Sequence, residues 1–283
     1  MEHEHPLVTV VITSYNYDQF LARAVQSVLD QNYTNLEILI ADDASTDQSA
    51  AIARQFSLED SRVKVITNDS RLRLAKNKNR ACAESKGSLL TFLDADDYYC
   101  SLDKISQEVQ VIVDYERRTG KTCVAYSLRR TIVDGTVEPQ KTHRDEQLAG
   151  EIFMEVITRR IAQMPRDFTV RKKAFDDVGG FDESATLYVD WVLKIRLARR
   201  FAFYCTNSEG IAHVKHPDGM AGVKWEAHRA AIVRGYVTHR KLIPGAKVRW
   251  QTDLMMWRRF GKKKFADFLY KKFQKIRSKA TLS

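Results

Sequence analysis

Three carboxylates follow directly after a short apolar segment. The segment Leu89–Leu93 reads L-L-T-F-L, and Asp94, Asp96 and Asp97 come after it. A run of this length and apolarity predicts a buried strand. Because side chains alternate along extended backbone, Asp94 and Asp96 can share one face. Their oxygens suit Mg²⁺ or Mn²⁺ held together with a phosphate, although a solvated acidic turn fits the same letters.

The elements that must position these carboxylates alternate between strand and helix patterns. Apolar segments with helical spacing between them predict a βαβαβαβ unit, and therefore an α/β fold with a parallel sheet. Polar clusters follow three of the strands, and ligands bind beyond the carboxyl ends of strands in such sheets. The predicted strands are Leu7–Thr13, Leu36–Ala41, Val63–Ile66 and Leu89–Leu93, and the predicted helices are Asp18–Asp30, Asp47–Phe56 and Leu74–Ser85.

The second part of the chain is less regular. We expect a catalytic domain over residues 1–220, with halves at 7–100 and 101–220, and a basic helical extension over 221–283. The predicted helices are Leu102–Arg117, Glu151–Arg160 and Tyr188–Arg200, with strands at Lys121–Ser127, Leu128–Val137, Asp167–Arg171 and Phe201–Thr206, a turn at Asp134-Gly135 and a loop at Gly179–Glu183.

Charge is unevenly distributed along the 283 residues. The net charge is +10, yet residues 240–283 alone carry 14 Lys and Arg against two Asp, which leaves the rest at −2. No apolar stretch approaches the ~18–20 residues that span a bilayer, and the polar start lacks the pattern of a signal peptide. Four dispersed cysteines suit reduced thiols. Together these features predict a cytoplasmic protein whose tail and body have different partners.

Five motifs then occur in order, and together they resemble the GT-A-fold glycosyltransferases of family 2. They read V-T-V-V-I-T-S-Y-N, I-A-D-D-A-S-T-D, L-D-A-D-D, V-G-G-F-D-E and Y-V-D-W-V-L-K-I-R, within residues 7–216. The resemblance implies an inverting enzyme of bacterial polysaccharide synthesis. It also implies a Rossmann-like, mostly parallel sheet with helices on both faces. The reaction would move a hexosyl or N-acetylhexosaminyl group from a nucleotide-sugar to a hydroxyl of a glycan or lipid-linked glycan.

The resemblance also implies which residues hold the nucleotide. Thr13, Ser14 and Tyr15 would surround the base, and Asp43 would accept the imide N–H of uracil, so that the carrier is UDP. Lys76 stands in A-K-N where the family commonly has A-R-N, and it would meet the nucleotide or its diphosphate. From the residues alone, a strand end, a helix cap and a solvated lysine explain the same positions.

For the leaving group, the resemblance implies a divalent metal, Mn²⁺ or Mg²⁺. Asp96 would bind the metal directly, and Asp94 would reach the ribose or a metal-bound water. Asp97 would orient these groups or cap the next helix. Relatives have a histidine near this point that can reach the metal or the phosphates, which would give that role to His216, although His213 and His216 fit surface positions equally well.

A base for the acceptor hydroxyl remains to be found. Many family members carry Glu-Asp before an amphipathic helix; here the pair is Val189-Asp190, so Asp190 is the expected base. A helix N-terminal aspartate that only serves the dipole is the alternative. Asp182 and Glu183 are reserve candidates. One base and a metal-assisted leaving group imply a single displacement with inversion.

The tail and two rival functions complete the predictions. From Trp250 to Ile276 aromatic residues interleave with lysines, which fits a basic amphipathic helix on an anionic membrane. The same helix could pack on the catalytic domain or on a second copy of the chain. A nucleotidyltransferase would need a Gly-rich basic loop where Thr13-Ser14-Tyr15-Asn16 stands. Nucleic-acid binding could use only the tail, since the body has a balance of −2.

Overall fold

A parallel sheet forms the first half of the computed structural model, which describes residues 5–133, 136–137, 149–160, 167–216 and 223–260. Every strand and helix expected there is present, with ends that differ by at most three residues. The strands are β1 (Val8–Ser14), β2 (Leu36–Asp42), β3 (Val63–Thr67) and β4 (Leu89–Asp94), and the helices are α1 (Asp18–Leu29), α2 (Ser49–Glu59) and α3 (Leu74–Glu84).

The second half extends this sheet with mostly antiparallel pairings. Strand β8 pairs antiparallel with both β4 and β6, and β5 pairs antiparallel with β9, whereas β6 and β9 run parallel. Among the described residues the sheet order is β3-β2-β1-β4-β8-β6-β9-β5, with β7 beside β6. The further strands are β5 (Tyr98–Tyr99), β6 (Cys123–Val133), β7 (Thr136–Val137), β8 (Phe168–Arg171) and β9 (Ala202–Lys215).

Two strands differ in extent from the sequence-based expectation, and the two-residue strand β5 was not predicted. Strand β6 is continuous where Ser127 and Leu128 were expected to separate two strands, because a bulge absorbs the irregularity and pairing resumes beyond it. Strand β9 extends to Lys215 instead of ending at Thr206. Its polar stretch around Asn207 hides the apolar alternation that would have revealed this length. The predicted turn at Asp134-Gly135 lies outside the described residues.

Helices cover both faces of the sheet. Alternate residues of β1 point to opposite sides: Val10 and Ile12 pack with α1 and α4 (Lys104–Thr119), and Val11 packs in the cluster under α3. The cluster that contains Val11 also receives residues from the later helices of the second half. These are α5 (Phe153–Ile157), α6 (Lys172–Asp177), α7 (Val189–Ala198), α8 (Trp225–His239) and α9 (Ala246–Phe260).

Of the last two described helices, α8 packs directly against α7, and α9 joins the same buried cluster. Tyr236 of α8 and Met256 and Phe260 of α9 belong to the same buried cluster as Trp191. A Cβ at Gly235 would lie 2.6 Å from Cζ3 of Trp191, so only glycine permits this approach of α8. The part of the predicted amphipathic segment after residue 260 lies outside the described residues. No described helix combines the length and apolarity that crossing a bilayer requires.

Candidate active site

The carboxyl edge of the parallel strands gathers the predicted nucleotide-side residues. Thr13 and Asp94 are register partners across β1 and β4, and Oγ1 of Thr13 donates a hydrogen bond to Oδ1 of Asp94 at 3.3 Å. The backbone N–H of Asp43 donates to the carbonyl of Ser14 at 2.9 Å. All four side chains are buried. They meet at one edge because parallel strands end in the same direction.

Asp43 organises the segment that leads into α3. Its Oδ1 accepts from the Asn68 amide at 2.9 Å and from the N–H of Leu72 at 2.7 Å, and its Oδ2 accepts from the N–H of Arg73 at 2.8 Å. The neighbouring Asp42 accepts instead from the N–H of Ser45 at 3.0 Å. The two carboxylates therefore have different roles: Asp42 closes the local turn, and Asp43 faces the loop beside the sheet edge. A contact from Asp43 to uracil stays a prediction.

Two cations on this side differ in their placement. The guanidinium of Arg71 lies 3.7 Å from the centre of the Tyr15 ring, a cation–π contact next to the strand edge. Lys76 extends an exposed side chain from α3. Sequence reasoning singled out Lys76 and did not consider Arg71, which no motif marks. Arg71 thus becomes a second candidate for meeting a nucleotide.

A buried lysine joins the nucleotide side to the expected base. Lys78 is fully buried, with Nζ 2.9 Å from Oδ1 of Asp94 and 3.1 Å from Oδ1 of Asp190. The rings of Phe92 and Phe181 lie 6.0 and 5.4 Å from the same ammonium. Burial alone would lower the pKa of Lys78, but the charges of Asp190 and Asp94 raise it above its ordinary value. Lys78 therefore stays charged between two carboxylates that the chain brings together from different elements.

Asp190 lies in the first turn of α7 and is buried. The positive end of the helix dipole stabilises an ionised carboxylate at this position. Tyr188 precedes the helix with a left-handed backbone (φ +58°), an uncommon conformation for a bulky residue. The Tyr188 hydroxyl is 2.9 Å from Nδ1 of His228, and Arg159 lies 4.2 Å from the ring centre. These contacts hold the start of α7 in place.

The reserve candidates Asp182 and Glu183 both accept hydrogen bonds, Asp182 from its own loop and Glu183 from α3. Oδ1 of Asp182 accepts hydrogen bonds from the N–H and the hydroxyl of Ser184. Burial alone would raise the pKa of Asp182, but these hydrogen bonds bring it below its ordinary value, which makes Asp182 a weaker base. Glu183 accepts from the Asn79 amide at 3.0 Å. The geometry therefore favours Asp190 over both.

Asp96 and His216 form a pair next to the end of β4. Nε2 of His216 lies 3.1 Å from Oδ2 of Asp96, and both side chains are nearly buried. The imidazole packs against Tyr17 and Phe20 at the start of α1, with ring centres 5.8 and 4.8 Å away. His216 directly follows β9. Because β9 continues to Lys215, beyond the predicted end at Thr206, it carries His216 to Asp96.

Asp97 and His213 form a separate pair. Nδ1 of His213 lies 3.0 Å from Oδ1 of Asp97, and the same oxygen accepts from the N–H of Val214 at 3.0 Å. Asp97 therefore joins the end of the acidic motif to β9. Of the two histidines left open by the sequence, His216 is the one beside Asp96.

Asp96 and His216 could supply two of the ligands of a metal ion. Two ligands of an octahedral Mg²⁺ at the usual bond length lie about 3 Å apart, close to the observed spacing. The described residues contain no group of three or more His, Cys, Asp or Glu arranged to hold a metal ion. Mg²⁺ commonly binds through one or two carboxylates together with substrate phosphates and water. The pair thus fits a cation that a bound diphosphate would help to hold.

The sheet has the GT-A fold of glycosyltransferases, and sequence similarity identifies the family. The profile described as "Glycosyl transferase family 2" matches residues 9–181, and the chain belongs to that family. It is 35% identical over 207 residues to glycosyltransferase GlyG of Streptococcus pneumoniae. That match covers 68% of this chain and 67% of GlyG.

Other relatives match shorter segments. The chain is 32% identical over 148 residues to the putative teichuronic acid biosynthesis glycosyltransferase TuaG of Bacillus subtilis, covering 52% of this chain and 57% of TuaG. It is 33% identical over 107 residues to WfgD of Escherichia coli, named as a UDP-Glc:alpha-D-GlcNAc-diphosphoundecaprenol beta-1,3-glucosyltransferase. That match covers 38% of this chain and 41% of WfgD.

Solved structures support the fold. Residues 1–349 of S. aureus TarS, in complex with UDP-GlcNAc, align with a TM-score of 0.66 at 15% identity, over 88% of this chain and 70% of that one. A mannosyltransferase from Pyrobaculum calidifontis, in complex with GDP-Man and Mn2+, aligns with a TM-score of 0.63 at 15% identity, over 89% and 69%. At this identity the likeness concerns the fold alone.

Proposed function

We propose that this enzyme transfers a sugar from a UDP-sugar to a hydroxyl of a glycan or lipid-linked glycan, with a divalent cation and with inversion at the anomeric carbon. The observation that carries the proposal is the position of Lys78, which contacts Asp94 and Asp190 with one ammonium. A donor-side carboxylate and a base candidate therefore lie within a few ångströms of each other.

The donor side is assigned from the edge of the sheet. Thr13, Ser14 and Tyr15 would surround the nucleotide, with Asp43 toward the base and Lys76 or Arg71 toward the diphosphate. Related proteins agree with a nucleotide-sugar donor, since TarS was solved in complex with UDP-GlcNAc and WfgD is named for UDP-Glc. Uracil is the proposed base because Asp43 offers carboxylate oxygens to an imide N–H.

Asp96 and His216 would hold Mn²⁺ or Mg²⁺, as their 3.1 Å spacing and donor types permit. When bound, the cation would neutralise the charge that develops on the departing nucleoside diphosphate. Asp94 would contact the ribose or a water near the cation. The mannosyltransferase from P. calidifontis is described with Mn2+, which agrees with this class of cofactor.

Asp190 would act as the base. As the acceptor oxygen forms a bond to the anomeric carbon, Asp190 takes the hydroxyl proton and the bond from that carbon to the diphosphate oxygen breaks. Attack from the face opposite the leaving group inverts the configuration in one step. The reserve carboxylates already accept hydrogen bonds, Asp182 from Ser184 and Glu183 from Asn79 of α3, which supports Asp190 as the better candidate.

Thermal stabilisation by nucleotide-sugars, with and without Mn²⁺, tests the donor assignment. A panel of UDP-Glc, UDP-GlcNAc, UDP-Gal and GDP-Man should give a Mn²⁺-dependent rise in the melting temperature for a UDP-sugar. Asp96→Ala should lose the rise. Asp69→Ala, which removes an exposed carboxylate beside the loop that Asp43 holds, should keep it. A rise that is specific to GDP-Man, or one that is equal without Mn²⁺, would contradict the proposal.

A further inference from the structure

Helix α9 has two different faces. Its buried face packs into the catalytic domain and consists of Thr252, Asp253, Met256 and Phe260. The opposite face is a continuous stripe with helical spacing, and its members other than the half-buried Leu254 are exposed. We call it the tryptophan stripe: Lys247, Trp250, Gln251, Leu254, Trp257 and Arg258. The helix therefore packs on its own domain and still presents a second surface.

The aromatic side chains of the stripe are in water. Trp250 is 64% exposed and Trp257 is 38% exposed, and seven residues place them on the same side of the helix. Leu254 lies between them. Trp191, by contrast, is buried beside α8. Large amphipathic rings such as these, two turns apart, are the side chains that partition into the interface between lipid headgroups and acyl chains.

The charge of this surface has one sign. The acidic residue of α9, Asp253, is buried, where Arg240 and the Tyr236 hydroxyl bind its carboxylate. Lys247 and Arg258 flank the tryptophans. The sequence that follows, residues 261–283, carries eight Lys and Arg against one Asp. A partner for this surface must therefore accept apolar rings and be negatively charged.

We propose that the tryptophan stripe docks on an anionic lipid bilayer surface, with Trp250, Leu254 and Trp257 among the headgroups and the cations toward lipid phosphates. A second copy of the chain fits less well. In a two-fold interface the stripes of both copies would meet, and the cations Lys247 and Arg258 of one copy would face the cations of the other. Nucleic acid would meet the cations but would gain less from Leu254.

Docking here would orient the active site. Arg259 donates to the carbonyl oxygens of Thr158 and Arg159 at 3.3 Å, and Arg159 covers the ring of Tyr188 two residues before Asp190. Through these contacts α9 and the start of α7 form one packed unit. This consequence rests on the proposed function, because it places the base at a fixed distance from a surface that could carry a lipid-linked acceptor. The docking itself does not depend on turnover.

Co-sedimentation of the full chain with lipid vesicles tests the proposal. We expect binding to vesicles of phosphatidylcholine with one quarter phosphatidylglycerol, weaker binding at high salt, and a blue shift of tryptophan fluorescence. Trp250→Ser with Trp257→Ser should reduce partitioning by about tenfold or more. Leu58→Ser removes an apolar side chain that is 88% exposed on α2, and this matched control should bind as the parent does.

Three results would overturn docking on lipid. The first is equal partitioning of the double variant and the parent. The second is a dimer in light scattering that the double variant loses. The third is displacement from vesicles by RNA at equal charge. Mn²⁺-dependent stabilisation by a UDP-sugar is measured on the same variants. The donor assignment and the docking can therefore fail separately.

Discussion

The ammonium of Lys78 lies 3.1 Å from Oδ1 of Asp190, a residue 112 positions later in the chain. The contact is buried and crosses from α3 to the first turn of α7. Since the same ammonium is 2.9 Å from Asp94, removal of Lys78 would take away the cation that two buried carboxylates share. The proposed base is thus positioned from the nucleotide half of the fold.

Lys78→Met should destabilise the protein by about 3–5 kcal/mol, the usual cost of removing one partner from a buried ion pair. Urea unfolding measures the loss. Lys76→Met is the matched control, since Lys76 is exposed two residues earlier on the same helix, and it should change stability by about 0.5 kcal/mol or less. Equal effects of the two substitutions would show that the buried cluster contributes little.

Asp190→Asn should leave donor binding intact and slow sugar transfer by about 10²–10⁴-fold, the usual contribution of a general base. Isothermal titration with UDP measures the first property, and product formation from the UDP-sugar measures the second. Asp182→Asn serves as the control and should retain most of the activity, because Ser184 already occupies that carboxylate. Full transfer by Asp190→Asn would return the base to Asp182 or Glu183.

His216→Ala should weaken the Mn²⁺ dependence of UDP binding, because it removes one of the two proposed protein ligands. His213→Ala is the matched control: it removes an imidazole from Asp97 and leaves the Asp96 pair intact. Titration of UDP at several Mn²⁺ concentrations distinguishes the two variants. If both lost the dependence equally, the cation would not be held by Asp96 and His216.

Lys194 should make stability depend on pH. Burial lowers the pKa of this lysine to about 7, even though Asp190 opposes the shift. In the unfolded chain the pKa is about 10.4, so between those values the unfolded state binds a proton that the folded state does not. The free energy of unfolding should therefore rise with pH over this window, and the full penalty should apply below it.

Lys194→Met removes the amine that titrates, and with it the proton that only the unfolded parent binds in this pH range. Its stability advantage over the parent should be largest near neutral pH and should shrink as the pH rises toward 10. Urea unfolding at several pH values measures the difference between the two proteins, in which shared titrations cancel. An advantage that stays constant with pH would mean that Lys194 is charged in the folded state.

The first half of the fold could be read from the sequence because its signals are local. Strands β1 and β4 are short and fully buried, and α1 between them has clear helical spacing. Strand β9 could not be read to its end, since its pairing with β6 depends on a partner far away in the sequence. The placement of His216 beside Asp96 depends on that pairing.

Lys78 was missed although a signal for it exists. It lies three residues after Ala75 and four before Cys82, and all three are on the buried side of α3. A lysine on the apolar face of a helix indicates a buried partner. The surrounding letters K-N-K-N-R suggest a solvated face. The sequence alone could not show that Asp94 and Asp190 lie next to this lysine in the folded protein.

Helix α3 connects three separate parts of the protein through consecutive residues. The Asn77 amide donates to the carbonyl of Ala41 at the end of β2, Lys78 binds Asp94 and Asp190, and Asn79 holds both polar backbone groups of Phe181. Each added residue turns a helix by about 100°. One inserted or deleted residue before Asn77 would therefore turn all three side chains away together. The length of α3 should thus be far less tolerant of change than the identity of its exposed residues.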